Sequence, residues 1–240
     1  MQSKVSFAGL AGLLLDLTEE ERRALMNSPK ELKRFAEEQV ARIERETYFS
    51  ILHDRDVPAE LEETASKWRQ LAAELGYTGP VAWKVKAGFT LKTHVPIAGP
   101  CHEDLECIQS RELIADEPTR NSITFWIPRL VPGSKEEKPR NHLALLSNLR
   151  DRLALPSHHL SSHGSAALLA GLMLAYYKHT GERVPFQNGW VQTSTHLKDG
   201  DGSCCLDLSF DPKLGICCSY WIRAHHPVGC FPIGIESISE

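Results

Sequence analysis

The sequence predicts an α+β fold, with N-terminal amphipathic helices followed by a mixed or antiparallel sheet packed by helices and ending in a Cys-rich β-hairpin. Three observations predict it. Apolar residues recur at helical spacing through the first 75 residues, and the period changes to alternation after Tyr77–Pro80. The stretch Phe186–Pro232 has no helix-length amphipathic pattern and holds five of the 7 cysteines. Helices followed by strands in separate runs are typical of α+β proteins.

The N-terminal helices are marked by their start residues. Thr18 and Glu21 have the spacing of a capping box, and so do Ser28 and Glu31, with Pro29 at the first helical position. The apolar stripe after Ser28 consists of Leu32, Phe35, Ala36, Val40 and Ile43. Charged amphipathic helices of this kind are common partner surfaces.

A further helix opens at Pro58 and ends at Gly76, where a C-terminal glycine cap belongs. Its stripe consists of Leu61, Ala65, Trp68, Ala72 and Leu75. We therefore divide the chain into a helical segment, 1–76, and an α+β domain, 77–240, or else treat it as one continuous domain.

The middle of the chain predicts strands and loops. Alternation predicts one strand over 81–85 and another over Phe89–Val95, on either side of a turn at Ala87–Gly88. We expect a short helix over Pro100–Ser110 and a central apolar strand over Ser122–Pro128. The stretch Val131–Arg140 predicts a solvent loop with nothing to bury.

Two helices and three strands complete the prediction. Asn141 is expected to cap a helix with the apolar face Leu143, Leu146, Leu149 and Leu153, and a second helix follows Ser162 and stops at Gly181. The predicted strands are Gly189–Thr195, Cys204–Phe210 and Gly215–Ile222. A tight turn at Pro212–Lys213 would join the last two and place Cys217 opposite Leu208.

Composition excludes several classes of protein. A net charge of −4 makes nucleic-acid binding unlikely, since that function usually needs a basic face. No apolar run approaches the roughly 18–20 residues that span a bilayer. Val5–Leu15 has the length of a signal-peptide core, but no small-residue cleavage site follows it. The odd cysteine count and the lack of an N-x-S/T site favour a reducing, cytoplasmic setting.

The last third of the chain resembles an uncharacterised bacterial family, a domain of unknown function common in candidate-phylum genomes. The matching pieces are the helix Ser161–His179, the Val184–Pro185 step, the segment Pro212–Cys217 and, more loosely, Gly229–Cys230. The resemblance implies a bacterial origin and a β-rich C-terminal unit. The family has no established activity, so the resemblance implies no chemistry.

Cysteine and histidine are numerous enough for a zinc site, but their spacing in the sequence does not match that of a typical structural zinc site. Structural zinc sites usually have two close ligand pairs, and no C-x-x-C or H-x-x-H occurs here. Adjacent residues of a strand point to opposite faces, so Cys204 and Cys205 cannot both reach one ion. Packing thiols are the favoured interpretation. The alternative is a zinc site that draws on Cys204, Cys217, His226 and Cys230, and His158, His159 and His163 are further candidate ligands.

A reactive thiol is the other candidate chemistry. Cys101 follows Pro100 at the expected start of a short helix, with His102 beside it, and a helix N-terminus lowers a thiol pKa. Acidic Glu103 and Asp104 would oppose that effect. No G-x-S-x-G elbow and no phosphate-binding glycine motif occurs in the sequence.

Two functions from different classes follow. The favoured one is a non-enzymatic binding or protein-interaction module without a cofactor, which binds a protein partner or self-associates through its N-terminal helices. The alternative is a zinc-binding or thiol-dependent enzyme that uses the Cys/His-rich segments. A cluster of three or more Cys and His side chains would favour the alternative. An exposed apolar stripe on 32–43 or 61–75 would favour the interaction module.

Overall fold

The fold is α+β, as predicted. The computed structural model describes residues 14, 17–102, 118–184, 190–199, 202–211, 215–219 and 227–238. Within these ranges the chain forms two four-stranded, mostly antiparallel sheets with helices packed against them. No helix in the described part of the chain combines the length and the apolar character needed to cross a membrane.

The first sheet has the order β1-β2-β3-β8 and is antiparallel throughout. Its strands are β1 (Phe49–Ile51), β2 (Ala82–Val85), β3 (Ser122–Trp126) and β8 (Ile233–Ser237). All five residues of β3 are buried, because helices and loops cover both faces of this interior strand. The predicted central strand is therefore confirmed.

The second sheet has the order β6-β5-β4-β7. Its strands are β4 (Trp190–Asp199), β5 (Gly202–Asp211), β6 (Gly215–Ser219) and β7 (Val228–Gly229), and the β4–β7 pair is parallel. Cys217 lies opposite Ser209, so the predicted pairing with Leu208 is wrong by one residue. The register shifts because Asp211 pairs with Gly215, so three residues connect the strands where the predicted turn has two. Three-residue connections commonly include a residue with positive φ, and Gly215 has φ +92°. Residues 212–214 lie outside the described ranges, so the Cys-rich hairpin stays a prediction.

Six helices lie in the described ranges: α1 (Glu19–Met26), α2 (Pro29–Arg45), α3 (Glu62–Glu74), α4 (Val95–Ala98), α5 (His142–Arg152) and α6 (Ala166–Thr180). The capping box at Thr18 is confirmed, with Glu21 as its partner. Ser28 is the N-cap of α2 with Pro29 behind it, but its side chain makes no capping bond. Gly181 ends α6 in the left-handed conformation, as its position predicts.

The strand predicted over Phe89–Val95 is wrong. This stretch turns and leads into α4, because local side chains bind its backbone more effectively than a neighbouring strand could. The backbone N–H of Thr90 donates to Nδ1 of His94 at 3.0 Å, and that of Thr93 donates to Oγ1 of Thr90 at 3.3 Å. β2 pairs with β1 and β3 instead.

Two expectations about the segment from 131 to 153 also need correction. The stretch Val131–Arg140 is not purely a surface loop, since Ser134 is fully buried. The predicted apolar face of α5 is only partly buried, because Leu146 packs inside while Leu143 remains 48% exposed. His142, the first residue of α5, is buried instead.

The core is continuous across the described chain. One cluster of buried apolar side chains extends from Val57 to Ile233, and it includes Trp68 of α3 and most of α6. β1 from the first segment pairs with β2 from the second. The domain boundary at residue 76 stays a prediction, and residues on both sides of it share this core.

Candidate metal centre

Three buried side chains from distant parts of the chain meet at one point. They are His142, His163 and Cys230, and one ligand atom from each lies within 4.8 Å of the others. His142 and Cys230 are fully buried and His163 is 7% exposed. Two imidazoles and a thiol in one buried cluster form a donor set that transition metals prefer.

Ser134 fixes the ring of His142. Nε2 of His142 lies 2.8 Å from the backbone oxygen of Ser134, and because a carbonyl only accepts, Nε2 carries the proton. The neutral ring then has its lone pair at Nδ1. Metal-binding histidines usually donate their second N–H to a carbonyl or carboxylate in this way. Nδ1 lies 2.9 Å from Oε1 of Gln192, so an amide turned to donate its N–H would satisfy the ring without a metal.

His163 is held on the turn that precedes α6. Gly164 has φ +74°, and its backbone oxygen accepts from Ser194 of β4 at 2.8 Å. The hydroxyl of Ser165 then caps α6 by accepting from the backbone N–H of Leu168 at 3.2 Å. Nδ1 of His163 is buried and has no hydrogen-bond partner in the described structure. Leaving such a nitrogen unpaired costs about 1–3 kcal/mol, so this atom calls for a ligand.

Cys230 lies between β7 and β8, next to the same serine. Its backbone N–H donates to Oγ of Ser134 at 3.3 Å, so Ser134 positions both the thiol and His142. The approach depends on Gly229, where a Cβ would lie 3.1 Å from Oγ of Ser134 and 2.8 Å from Leu130. Burial raises the pKa of the Cys230 thiol to about 12. The thiol is therefore neutral without a metal and is not a nucleophile.

The electrostatic setting suits metal binding. Burial is the main reason why the pKa of His163 is lowered to about 4, with a smaller contribution from the neighbouring His142, so this ring is neutral and able to coordinate at neutral pH. In tetrahedral zinc sites, bond lengths of about 2.0–2.3 Å separate neighbouring ligand atoms by about 3.3–3.8 Å. The three ligand atoms lie within 4.8 Å of one another, so their side chains would close by at most about 1.5 Å around an ion.

A second group of donors consists of His158, His159 and Glu236. The indole N–H of Trp68 donates to Nδ1 of His159 at 3.1 Å, so the proton of the neutral ring is on Nε2. Nε2 lies 2.9 Å from Glu236, although the two are poorly aligned for a hydrogen bond. A protonated nitrogen cannot bind a metal. This group is therefore a polar network that extends from the buried His159 to the exposed His158, which Glu236 contacts at 3.0 Å.

The structure separates the site residues that the sequence predicted. Cys230 lies in the cluster, but Cys217 does not, and its thiol donates to the backbone oxygen of Ser209 at 3.6 Å. The side chain of Cys204 and the whole of His226 lie outside what the structure describes. Cys101 forms a β-bridge with Ile216, and the N–H of His102 bonds to the Ile216 oxygen at 2.8 Å. Residues 103–117 lie outside the described ranges, so the short helix expected over Pro100–Ser110 stays a prediction.

Sequence reasoning missed His142 altogether and placed His163 in a different group. No spacing could have found the cluster, because 21 residues separate the two histidines and Cys230 lies a further 67 residues along the chain. The only indication was a histidine directly after the expected helix cap, and histidines at helix starts are common in proteins without metals.

No protein-family model, curated protein or solved structure matches this chain. The resemblance of the last third to an uncharacterised bacterial family therefore stays a prediction.

Proposed function

We propose that this protein binds a transition metal ion, with zinc as the expected ion, through His142, His163 and Cys230. The observation that carries the proposal is Nδ1 of His163, which is buried without a partner beside a second imidazole and a thiol. A cluster of three Cys and His side chains is also the feature that favours a zinc-binding protein over a pure interaction module.

The proposed ion has a structural role. His142 and Cys230 are fully buried, so a substrate cannot reach them over the described part of the chain. The ligands come from the start of α5, the turn before α6 and the junction of β7 with β8, so one ion would tie three segments together. The fourth coordination position falls to Oε1 of Gln192 or to a water molecule. A mixed nitrogen and sulfur set excludes magnesium and calcium, which prefer oxygen.

Metal content and cobalt substitution test this proposal. We expect about one zinc per chain in purified protein, and Co²⁺ should give a thiolate-to-cobalt charge-transfer band in the near ultraviolet. Cys230→Ser should remove that band, and His163→Asn should weaken Co²⁺ binding. Cys217→Ser is the matched control, because it removes another buried thiol outside the cluster. A metal-free protein whose cobalt spectrum is unchanged by Cys230→Ser would overturn the proposal.

An interaction module is the second candidate, and α2 is the observation that favours it. The predicted stripe of α3 is buried at Ala65, Trp68 and Ala72, so α3 belongs to the core. The stripe of α2 is only half-buried, apart from Ile43, and α1 buries no residue. We propose self-association through α2 as a secondary function. Phe35→Glu should then lower the mass measured by light scattering at high concentration, whereas Glu37→Gln on the opposite, exposed face should not. An unchanged monomeric mass for the unmodified chain would contradict it.

A further inference from the structure

A half-open cavity of about 560 Å³ lies beside the C-terminal half of α6, away from the metal cluster. Its walls come from the end of α2, β1, α4 and α6. Most of the lining residues are apolar, and polar atoms form about half of the surface that faces the cavity. The apolar lining residues include Ile43, Phe49, Phe89, Ile97, Leu174 and Ala175. Cavities of about 300–1,000 Å³ with mainly apolar walls and a few polar groups are typical small-molecule sites.

Two glycines shape the walls of this cavity. At Gly171 of α6, a Cβ would lie 2.1 Å from the ring of Phe49, so the missing side chain lets the outer edge of that ring approach the helix. At Gly99, a Cβ would lie 2.6 Å from Leu174. A side chain at either position would push an apolar lining group aside. The two glycines therefore let Phe49 and Leu174 pack closely against the backbone in the cavity walls.

One charge at the cavity is already compensated. The Glu46 carboxylate accepts from the hydroxyl of Tyr48 at 2.9 Å and forms an ion pair with Lys86. The bond from Lys86 is the main reason why the pKa of Glu46 lies below its usual range. Nε2 of His94 lies 3.2 Å from the same hydroxyl, so this wall is a closed polar network. A ligand gains little from a carboxylate that is already paired.

The other charge is not compensated. Lys178, in the last turn of α6, lines the cavity, is exposed and has no carboxylate partner among the described residues. A cavity with a cluster of apolar side chains and one ammonium group at its edge is complementary to a molecule with an apolar body and one negative charge. The aromatic rings of Phe49 and Phe89 meet edge to face, 5.0 Å apart, at the apolar end.

We propose that this cavity binds a small carboxylic acid, with the apolar body among Phe49, Phe89 and Leu174 and the carboxylate at Lys178. The inference is independent of the metal site, because no residue of the cluster lines the cavity. It deepens the idea of a binding module by naming a ligand class.

A charge series of ligands tests the proposal. Decanoate, decanol and decylamine share a ten-carbon skeleton and differ in the head group. Their binding to the full-length protein is measured by calorimetry below their micelle concentration or solubility limit. We expect decanoate to bind most tightly and decylamine most weakly. Lys178→Ala should weaken decanoate by about fivefold and leave decanol unchanged. Lys30→Ala, an exposed lysine of α2 outside the cavity, is the matched control.

A second variant locates the bound molecule. Ala175→Phe places a ring into the cavity from α6, and it should abolish binding of all three ligands while the thermal unfolding midpoint stays within a few degrees. Three results would overturn the proposal: no ligand binds, Lys178→Ala behaves like Lys30→Ala, or Ala175→Phe binds decanoate as tightly as the unmodified chain does. If Ala175→Phe does not fold, Ile97→Trp provides the same test from the opposite wall.

Discussion

Replacing Trp68 by Phe should cost more stability than replacing Trp83 by Phe, although both indoles are buried to at least 99%. The two substitutions remove the same atoms and leave similar voids. They differ in one bond, because the indole N–H of Trp68 donates to Nδ1 of His159 at 3.1 Å while that of Trp83 has no partner in the described structure. The pair therefore isolates the contribution of a buried side-chain hydrogen bond.

The expected difference follows from what each substitution leaves behind. Trp68→Phe leaves Nδ1 of His159 buried and unpaired, which costs about 1–3 kcal/mol in addition to the shared void. Trp83→Phe removes an N–H that was already unpaired, so it adds no such cost. We expect Trp68→Phe to lower the free energy of unfolding by about 2 kcal/mol more than Trp83→Phe does.

Urea unfolding followed by far-ultraviolet circular dichroism measures this difference. Equal slopes of free energy against urea concentration would show that the two variants unfold from equally compact states. In a His159→Leu background the additional cost of Trp68→Phe should disappear, because no nitrogen is then left unpaired. The reasoning is refuted if Trp83→Phe costs as much as Trp68→Phe, or if the additional cost persists without His159.

Three further predictions each concern one residue. Burial raises the pKa of Asp207 to about 7, so the folded chain keeps a proton that the unfolded chain loses near pH 4. Stability should therefore fall as the pH rises from 4 to 7, and Asp207→Asn should flatten that part of a thermal-midpoint profile; an unchanged slope would contradict it. Gly234→Ala would place a Cβ 2.7 Å from the ring of His159 and 2.8 Å from Trp68. This crowding should lower the free energy of urea unfolding by about 1–3 kcal/mol. An unchanged free energy of unfolding would show that both rings can shift. Thr18→Ala removes the capping box of α1, a helix without buried residues, so amide exchange should speed up in α1 alone while the global unfolding midpoint is unchanged.

Much of the helical structure was predictable because its determinants are local. The capping pair Thr18–Glu21, the proline at position 29 and the glycine at 181 each specify a helix end through one or two residues. The central strand over 122–126 was predictable because it is short and Ile123, Thr124, Phe125 and Trp126 are all β-branched or aromatic. Each of these features lies within a few residues of sequence, so a single chain is enough to identify it.

The errors arise where a side chain binds backbone that the alternation pattern assigns to a strand. His94 and Thr90 turn the chain after β2, and nothing in the spacing of Phe89, Leu91 and Val95 reveals those bonds. The candidate site was hidden for a related reason. Ser134 lies in a stretch rich in charge and proline, yet it is fully buried because it bonds to both His142 and Cys230.

The proposed metal site and the proposed ligand cavity share α6, which makes their coupling testable. The helix begins three residues after the cluster histidine, His163, with Ser165 as its cap, and its middle and last turns provide Gly171, Leu174 and Lys178 to the cavity. The intervening turns, including Leu169 and Leu172, are fully buried, so the helix is held by the core along its length. If that packing alone fixes the helix, removing the metal should loosen only the turn at 160–165 and leave decanoate affinity unchanged. If the ion holds α6 in position, chelation should weaken decanoate binding, and decanoate should tighten metal binding by the same factor, since coupling between two sites is reciprocal. The extensive burial of α6 favours the first outcome.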